Sequence, residues 1–225
     1  MTNDVRGESQ LRRRLRLMVI TDRKLAAGAG WLVVIEAALS AGATAVQLRD
    51  KQASSGQLLQ LALALRPIAA RHGALFLIND RFDVALAAGA HGVHLGDDDL
   101  PVAEVRRVVP RDFIIGRSAD TQAAARTAEA DGADYLGVGS VFGTLTKKEV
   151  IGEVIGTEQL SHVARAVRIP VLGIGGVTPL NAAEVARAGA AGMAVVSAVM
   201  AAADPGAATH ALLDGWEQGA LPGPA

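Results

Sequence analysis

Short apolar runs alternate along this chain with longer stretches of mixed polarity. The apolar runs are Leu15–Thr21, Ala45–Leu48, Leu75–Ile78, Gly92–Leu95, Phe113–Ile115, Tyr135–Val138, Pro170–Ile174 and Gly192–Val196. Runs this short, bounded by glycine and polar residues, read as strands buried on both faces. Between them, Trp31–Ala41, Ser55–Arg71, Arg81–Gly89, Leu100–Val109, Thr121–Ala130, Thr157–Val167 and Asn181–Ala188 carry helix formers, and helical residues follow the last run as far as Gly215. Gly42, His72-Gly73 and Gly89 close helices, and Pro101 stands in a first turn, positions these residues favour. Strand and helix alternating eight times predict an α/β protein, a single-domain (β/α)8 barrel of the TIM type. A doubly wound open sheet is the rival, but the even spacing favours closure. The barrel is expected over residues 14–217, with a disordered polar lead over 1–13 and a flexible tail over 218–225.

The polar residues are not scattered. Parallel strands joined by helical crossovers all end on one edge, and that edge collects the chemistry. The second strand leads through Gln47 to Arg49 and Lys51, the third into Asn79 and Asp80, the fourth into Asp97–Asp99 and the fifth into Ser118. After the sixth comes a long loop with Thr144, Thr146 and Lys147; after the seventh, Gly175-Gly176; after the eighth, Ser197. Parallel α/β folds build active sites on this edge.

Asp80 and Asp99 end neighbouring strands, and two carboxylates there repel unless a positive charge sits between them. Each alone also suits a helix N-cap. Together, facing Arg49 and Lys51, they favour Mg²⁺, which takes one or two carboxylates plus phosphate oxygens. Gly173, Gly175 and Gly176 let backbone N–H groups approach an anion, and Ser197 starts a helix whose amino end favours negative charge. Tight turns alone would also explain the glycines. Gln47 either reads a ring by hydrogen bonds or is a structural amide. His94, inside a strand, reads as a packed barrel histidine. No serine lies in a nucleophile elbow, and no zinc-protease motif occurs.

Composition narrows the partners. With 22 basic and 23 acidic residues, the chain offers no field for nucleic acid or an anionic membrane. It has no cysteine, hence no thiol nucleophile and no thiolate metal site. No apolar run reaches membrane-spanning length. Arg12-Arg13-Arg14 is followed by an apolar run that Asp22-Arg23-Lys24 cuts short, too brief for a secretory signal. A cytoplasmic enzyme of small molecules is expected, and a homodimer is compatible.

Val46-Gln47-Leu48-Arg49-Asp50-Lys51, Ile78-Asn79-Asp80, Gly92-Val93-His94-Leu95-Gly96 with Asp99, Thr144-Leu145-Thr146-Lys147, and Gly173-Ile174-Gly175-Gly176 with Val196-Ser197 together resemble the thiamine-phosphate synthase family. The resemblance runs in the same order over roughly residues 15–203. It implies Mg²⁺-dependent joining of hydroxymethylpyrimidine diphosphate to thiazole phosphate, releasing pyrophosphate. It also implies that Asp80 and Asp99 hold the metal, and that Arg49, Lys51, Asn79, Ser118 and Lys147 surround the diphosphate. Of these, Lys147, Arg49, Lys51 and Ser118 would be catalytic. Gln47 would meet the pyrimidine; Thr144, Thr146, Gly176, Val196 and Ser197 would hold the thiazole phosphate. Gly139-Ser140 stands where the family often has Gly-Pro, and Asp50 where it has glutamate. A thiazole tautomerase and a non-catalytic thiamine-phosphate sensor are the alternatives.

Overall fold

A computed structural model describes residues 8–26, 30–143 and 154–220 of the 225. Its strands are β1 (Leu17–Ile20), β2 (Ala45–Leu48), β3 (Leu75–Asn79), β4 (Gly92–Leu95), β5 (Ile114–Ser118), β6 (Tyr135–Val138), β7 (Val171–Ile174) and β8 (Gly192–Val195). They form a closed parallel barrel in chain order, β1 pairing with both β2 and β8. The helices are α1 (Glu8–Arg14), α2 (Trp31–Ser40), α3 (Ser55–Arg71), α4 (Phe82–Ala88), α5 (Val102–Val108), α6 (Gln122–Ala130), α7 (Gly156–Ala166), α8 (Ala182–Arg187), α9 (Ser197–Met200) and α10 (Pro205–Glu217).

Side chains alternate across each strand, and two cores result. Leu17, Val19, Val46, Leu48, Phe76, Ile78 and their counterparts face outward into a cluster shared with the helices. Met18, Ile20, Ala45, Leu75, Leu77, Ile114, Tyr135, Leu172 and Ala194 face inward and fill the barrel. The lower layers of the interior are therefore apolar, and among the described residues the inward-facing polar side chains lie toward the carboxyl end.

Three local expectations are corrected. Residues 8–13 are not a disordered lead. They belong to α1, which carries Leu11 into the interior cluster together with Leu15 beyond it. Arg12 Nη2 donates to the Arg168 carbonyl at 2.5 Å and Arg14 Nη2 to that of Gly73 at 3.3 Å, tying the helix across the barrel's amino end. β5 runs on to Ser118, because Gly116, Arg117 and Ser118 pair with Tyr135, Leu136 and Gly137. Ladder bonds outweigh the polar composition there. The last helical stretch is split into α9 and α10: Asp204 caps α10, accepting from the Ala207 amide at 2.9 Å, and Pro205 opens it. α10 passes through Gly215, where a Cβ would lie 2.4 Å from the Pro179 carbonyl oxygen. That glycine allows close packing and is not a stop.

Candidate active site

A cavity of about 600 Å³ opens at the carboxyl end of the barrel, a volume that suits small ring compounds. Asp80 follows β3 directly. It has φ 66°, the one positive φ of a non-glycine residue among the described residues. Its amide donates to the His94 carbonyl at 2.8 Å, which extends the β3–β4 ladder and fixes the turn. Asp99 lies in the turn after β4, where its Oδ2 accepts from the Gly96 amide at 2.6 Å. Neither aspartate caps a helix: the caps of α4 and α5 are Arg81 and Pro101.

Both aspartates line the cavity, close enough for each carboxylate to feel the other's charge. Burial, then the charge of Asp99, push Asp80 up to about 6, while Lys51 and Arg49 pull it back down. Two neighbouring carboxylates, one of them raised by the charge of the other, fit a hard divalent cation. Among the described residues no group of three or more His, Cys, Asp or Glu converges on a metal site. A two-carboxylate set suits Mg²⁺, which keeps waters and takes substrate oxygens as its other ligands.

Arg49 and Lys51 line the same cavity from the turn after β2, and that turn is firmly built. The buried Thr21 hydroxyl accepts from the Arg49 amide at 2.9 Å and donates to the Arg49 carbonyl at 3.2 Å. Asp50 Oδ1 accepts from the amides of Gln52 and Ala53, and its Oδ2 accepts from Arg23 at 2.6 Å. Hydrogen bonds to Arg23 and to these backbone amides outweigh burial and hold the Asp50 carboxyl below its usual range.

The cavity floor is made of polar groups. Gln47 is buried inside β2 and Asn79 ends β3. His94 Nδ1 lies 3.0 Å from Tyr135 Oη and its Nε2 lies 3.1 Å from Ser118 Oγ. Gly116 and Gly137 make room for these groups: a Cβ on Gly116 would meet the Tyr135 ring at 2.1 Å, and one on Gly137 would meet His94 at 3.1 Å. Sequence reasoning placed His94 in the barrel wall and passed over Tyr135. No local signal in the sequence marked them: only the pairing of Gln47 with Leu77, of His94 with Gly116 and of Ser118 with Gly137 shows these positions facing inward.

Across the mouth, Gly175 and Gly176 turn with φ 94° and 66°. A Cβ on Gly176 would lie 2.2 Å from the Gly143 carbonyl oxygen, so no side chain fits there. Val196 caps α9, and Ser197 is its first residue; by general helix geometry the first amides of α9 face away from its own hydrogen bonds. The four-residue α9, and not the final helix, carries Ser197. The structure thus brings together Gln47, Arg49, Lys51, Asn79, Asp80, Asp99, Ser118, Gly176, Val196 and Ser197 around one cavity. Thr144, Thr146 and Lys147 lie outside the described residues.

A parallel barrel with paired carboxylates, two basic side chains and a glycine-lined turn on one rim belongs with the enzymes that handle phosphorylated small molecules. The thiamine monophosphate synthase family profile matches residues 17–199. The chain is 49% identical over 196 residues to the thiamine-phosphate synthase of Roseiflexus castenholzii, covering 87% of this chain and 86% of that one. It is 48% identical over 200 residues to the enzyme of that name from Haloquadratum walsbyi, covering 88% and 89%. The solved thiamine phosphate pyrophosphorylase of Pyrococcus furiosus superposes with TM-score 0.84 at 42% identity, covering 92% of this chain and 98% of that one. The chain belongs to the thiamine-phosphate synthase family and is an enzyme, a transferase of thiamine biosynthesis. Among the described residues no helix is long and apolar enough to cross a membrane.

Proposed function

We propose that this barrel joins 4-amino-2-methyl-5-hydroxymethylpyrimidine diphosphate to 4-methyl-5-(2-phosphoethyl)thiazole by a Mg²⁺-dependent, dissociative displacement, giving thiamine phosphate and pyrophosphate. The observation that carries the reading is the meeting of Asp80 and Asp99 with Arg49 and Lys51 at one cavity mouth. A monophosphate alone does not call for that concentration of charge. A diphosphate that must depart does.

Asp80 and Asp99 would hold Mg²⁺, which when bound offsets the charge that grows on the leaving oxygens. Arg49, Lys51 and Lys147 would act on the same oxygens, and Asn79 and Ser118 would add neutral donors. The aminopyrimidine is electron-rich and can carry a methylene cation once the diphosphate leaves. Gln47 would hold that ring, while Gly176, Val196, Ser197, Thr144 and Thr146 would hold the thiazole phosphate. Fixing the thiazole nitrogen beside the cation supplies the orientation that a bimolecular encounter lacks. No protein nucleophile takes part. Phosphate esters cross bilayers poorly, which supports a cytoplasmic enzyme working on small-molecule substrates.

The test is pyrophosphate release measured with both substrates, with each alone, and with EDTA. Release is expected only with both and with Mg²⁺; release from the diphosphate alone would count against the reading. Asp80→Ala and Asp99→Ala are each expected to lose turnover while keeping the far-UV circular dichroism of the parent. Near-normal rates in either at limiting Mg²⁺ would remove the metal assignment.

A further inference from the structure

We propose that Arg23, which stands outside the cavity, is a positioning residue for the cationic edge of the site: it neutralises Asp50, so that the charges of Arg49 and Lys51 act in full on a bound polyanion. The inference rests on the proposed function for the identity of that anion. Its basis is the build of the turn after β2, where one acid stands between two bases.

Three ties join this turn to the turn after β1, and they run in step. The Thr21 hydroxyl accepts from the Arg49 amide at 2.9 Å and donates to the Arg49 carbonyl at 3.2 Å. Arg23 donates to Asp50 Oδ2 from Nε at 2.9 Å and from Nη2 at 2.6 Å. Lys24 Nζ donates to Gln52 Oε1 at 2.9 Å. On its outer side the turn borders an open groove of about 810 Å³, so hydrogen bonds rather than packing hold it there. The side chains of Arg49 and Lys51 take no part in these ties, and both line the cavity.

Asp50 is the residue that could spoil this arrangement. It lies between the two cations in sequence, and an unpaired carboxylate there would cancel much of the field they set up. Its side chain is only 14% exposed, so water and salt screen it poorly. Both of its oxygens are taken. Oδ1 accepts from the amides of Gln52 and Ala53, and Oδ2 accepts from the guanidinium. Arg23 lines the groove and not the cavity, so its charge is spent on Asp50 and does not crowd the ligand. With its own side chain 43% exposed, the pair adds little to stability. Its larger effect is on the charges beside it. With Arg23 in place the turn offers the cavity two uncompensated cations; without it, two cations and an anion.

A double variant separates charge from scaffolding. Arg23→Ala removes the cation and leaves the Thr21 and Lys24 ties to hold the turn. Asp50→Asn keeps Oδ1 for the two amides and removes the anion. The probe is Mg²⁺ pyrophosphate, titrated by calorimetry into the full-length protein. Arg23→Ala should bind it about fivefold more weakly at low salt, and the deficit should shrink at high salt, where exposed charges are screened. Adding Asp50→Asn to Arg23→Ala should restore the parent's affinity, whereas a lost mechanical tie would stay lost. Full affinity in Arg23→Ala, a deficit that salt leaves untouched, or a double variant no tighter than the single would each overturn the proposal. A wild type that binds no Mg²⁺ pyrophosphate would instead sink the proposed function, and would leave Arg23 no anion site to serve.

Discussion

Asp80 combines two features that oppose folding: a left-handed backbone, and burial beside the charge of a second carboxylate. Asparagine tolerates that backbone and carries no charge, so Asp80→Asn separates the two. The ordinary aspartate value is 3.8 and the folded value about 6, so the folded state holds this proton more tightly. Stability from this group is lost as pH rises from the unfolded value to the folded one, and it stays lost above. In EDTA, Asp80→Asn should therefore melt above the parent near neutral pH, with the gap closing as pH falls toward 4. Mg²⁺ should raise the parent's Tm and leave the variant's unchanged, because a ligand stabilises only the form that binds it. Scanning calorimetry reads both. The two aspartates were visible in the sequence because they end apolar runs. Tyr135 and His94 were not. In a barrel strand both faces are buried, so the alternation that distinguishes inside from outside is lost, and only the pairing register restores it.

At the level of elements, α1 and the turn after β4 each tie a distant part of the barrel. The arginines of α1 made residues 8–14 look solvated, yet Leu11 and Leu15, four apart, share one helix face and both are buried. A pattern of two apolar positions is too short to stand out in a sequence. Leu11→Ala should cost roughly 2–4 kcal/mol in denaturant unfolding and leave kcat unaltered, since α1 sits at the end away from the cavity. Arg117 is placed differently. It leaves β5 outward and reaches the turn that carries Asp99, donating to the Gly96 carbonyl and to Asp97 Oδ1. Arg117→Ala should loosen that turn. Mg²⁺ titrations of activity should then show several-fold weaker dependence on the metal, on the order of one hydrogen bond, with thiazole-phosphate KM unchanged.

Across the whole molecule, closure brings the first and last elements together. Arg16 meets Glu217 at 2.5 Å, and β1 pairs with β8. The exposed Arg111–Asp112 turn between α5 and β5 lies on the amino face. A circular permutant opened there, with residues 8 and 220 joined by a short Gly/Ser linker, should fold and keep wild-type kcat, because its new ends avoid both the ladder and the cavity. The fold itself was legible from even spacing, since each crossover dictates the next strand's direction. Its closure was decided by pairing between the first and last strands, which no local stretch encodes.

Among the described residues, the packed lower interior with α1 beneath it closes the cavity on the amino side, so that it opens toward the carboxyl end. Traffic through a blind-ended vessel has to queue. If Gln47 holds the pyrimidine at the bottom and the glycine turn holds the thiazole phosphate at the lip, as proposed, the pyrimidine should bind first, and the product should leave by the same mouth.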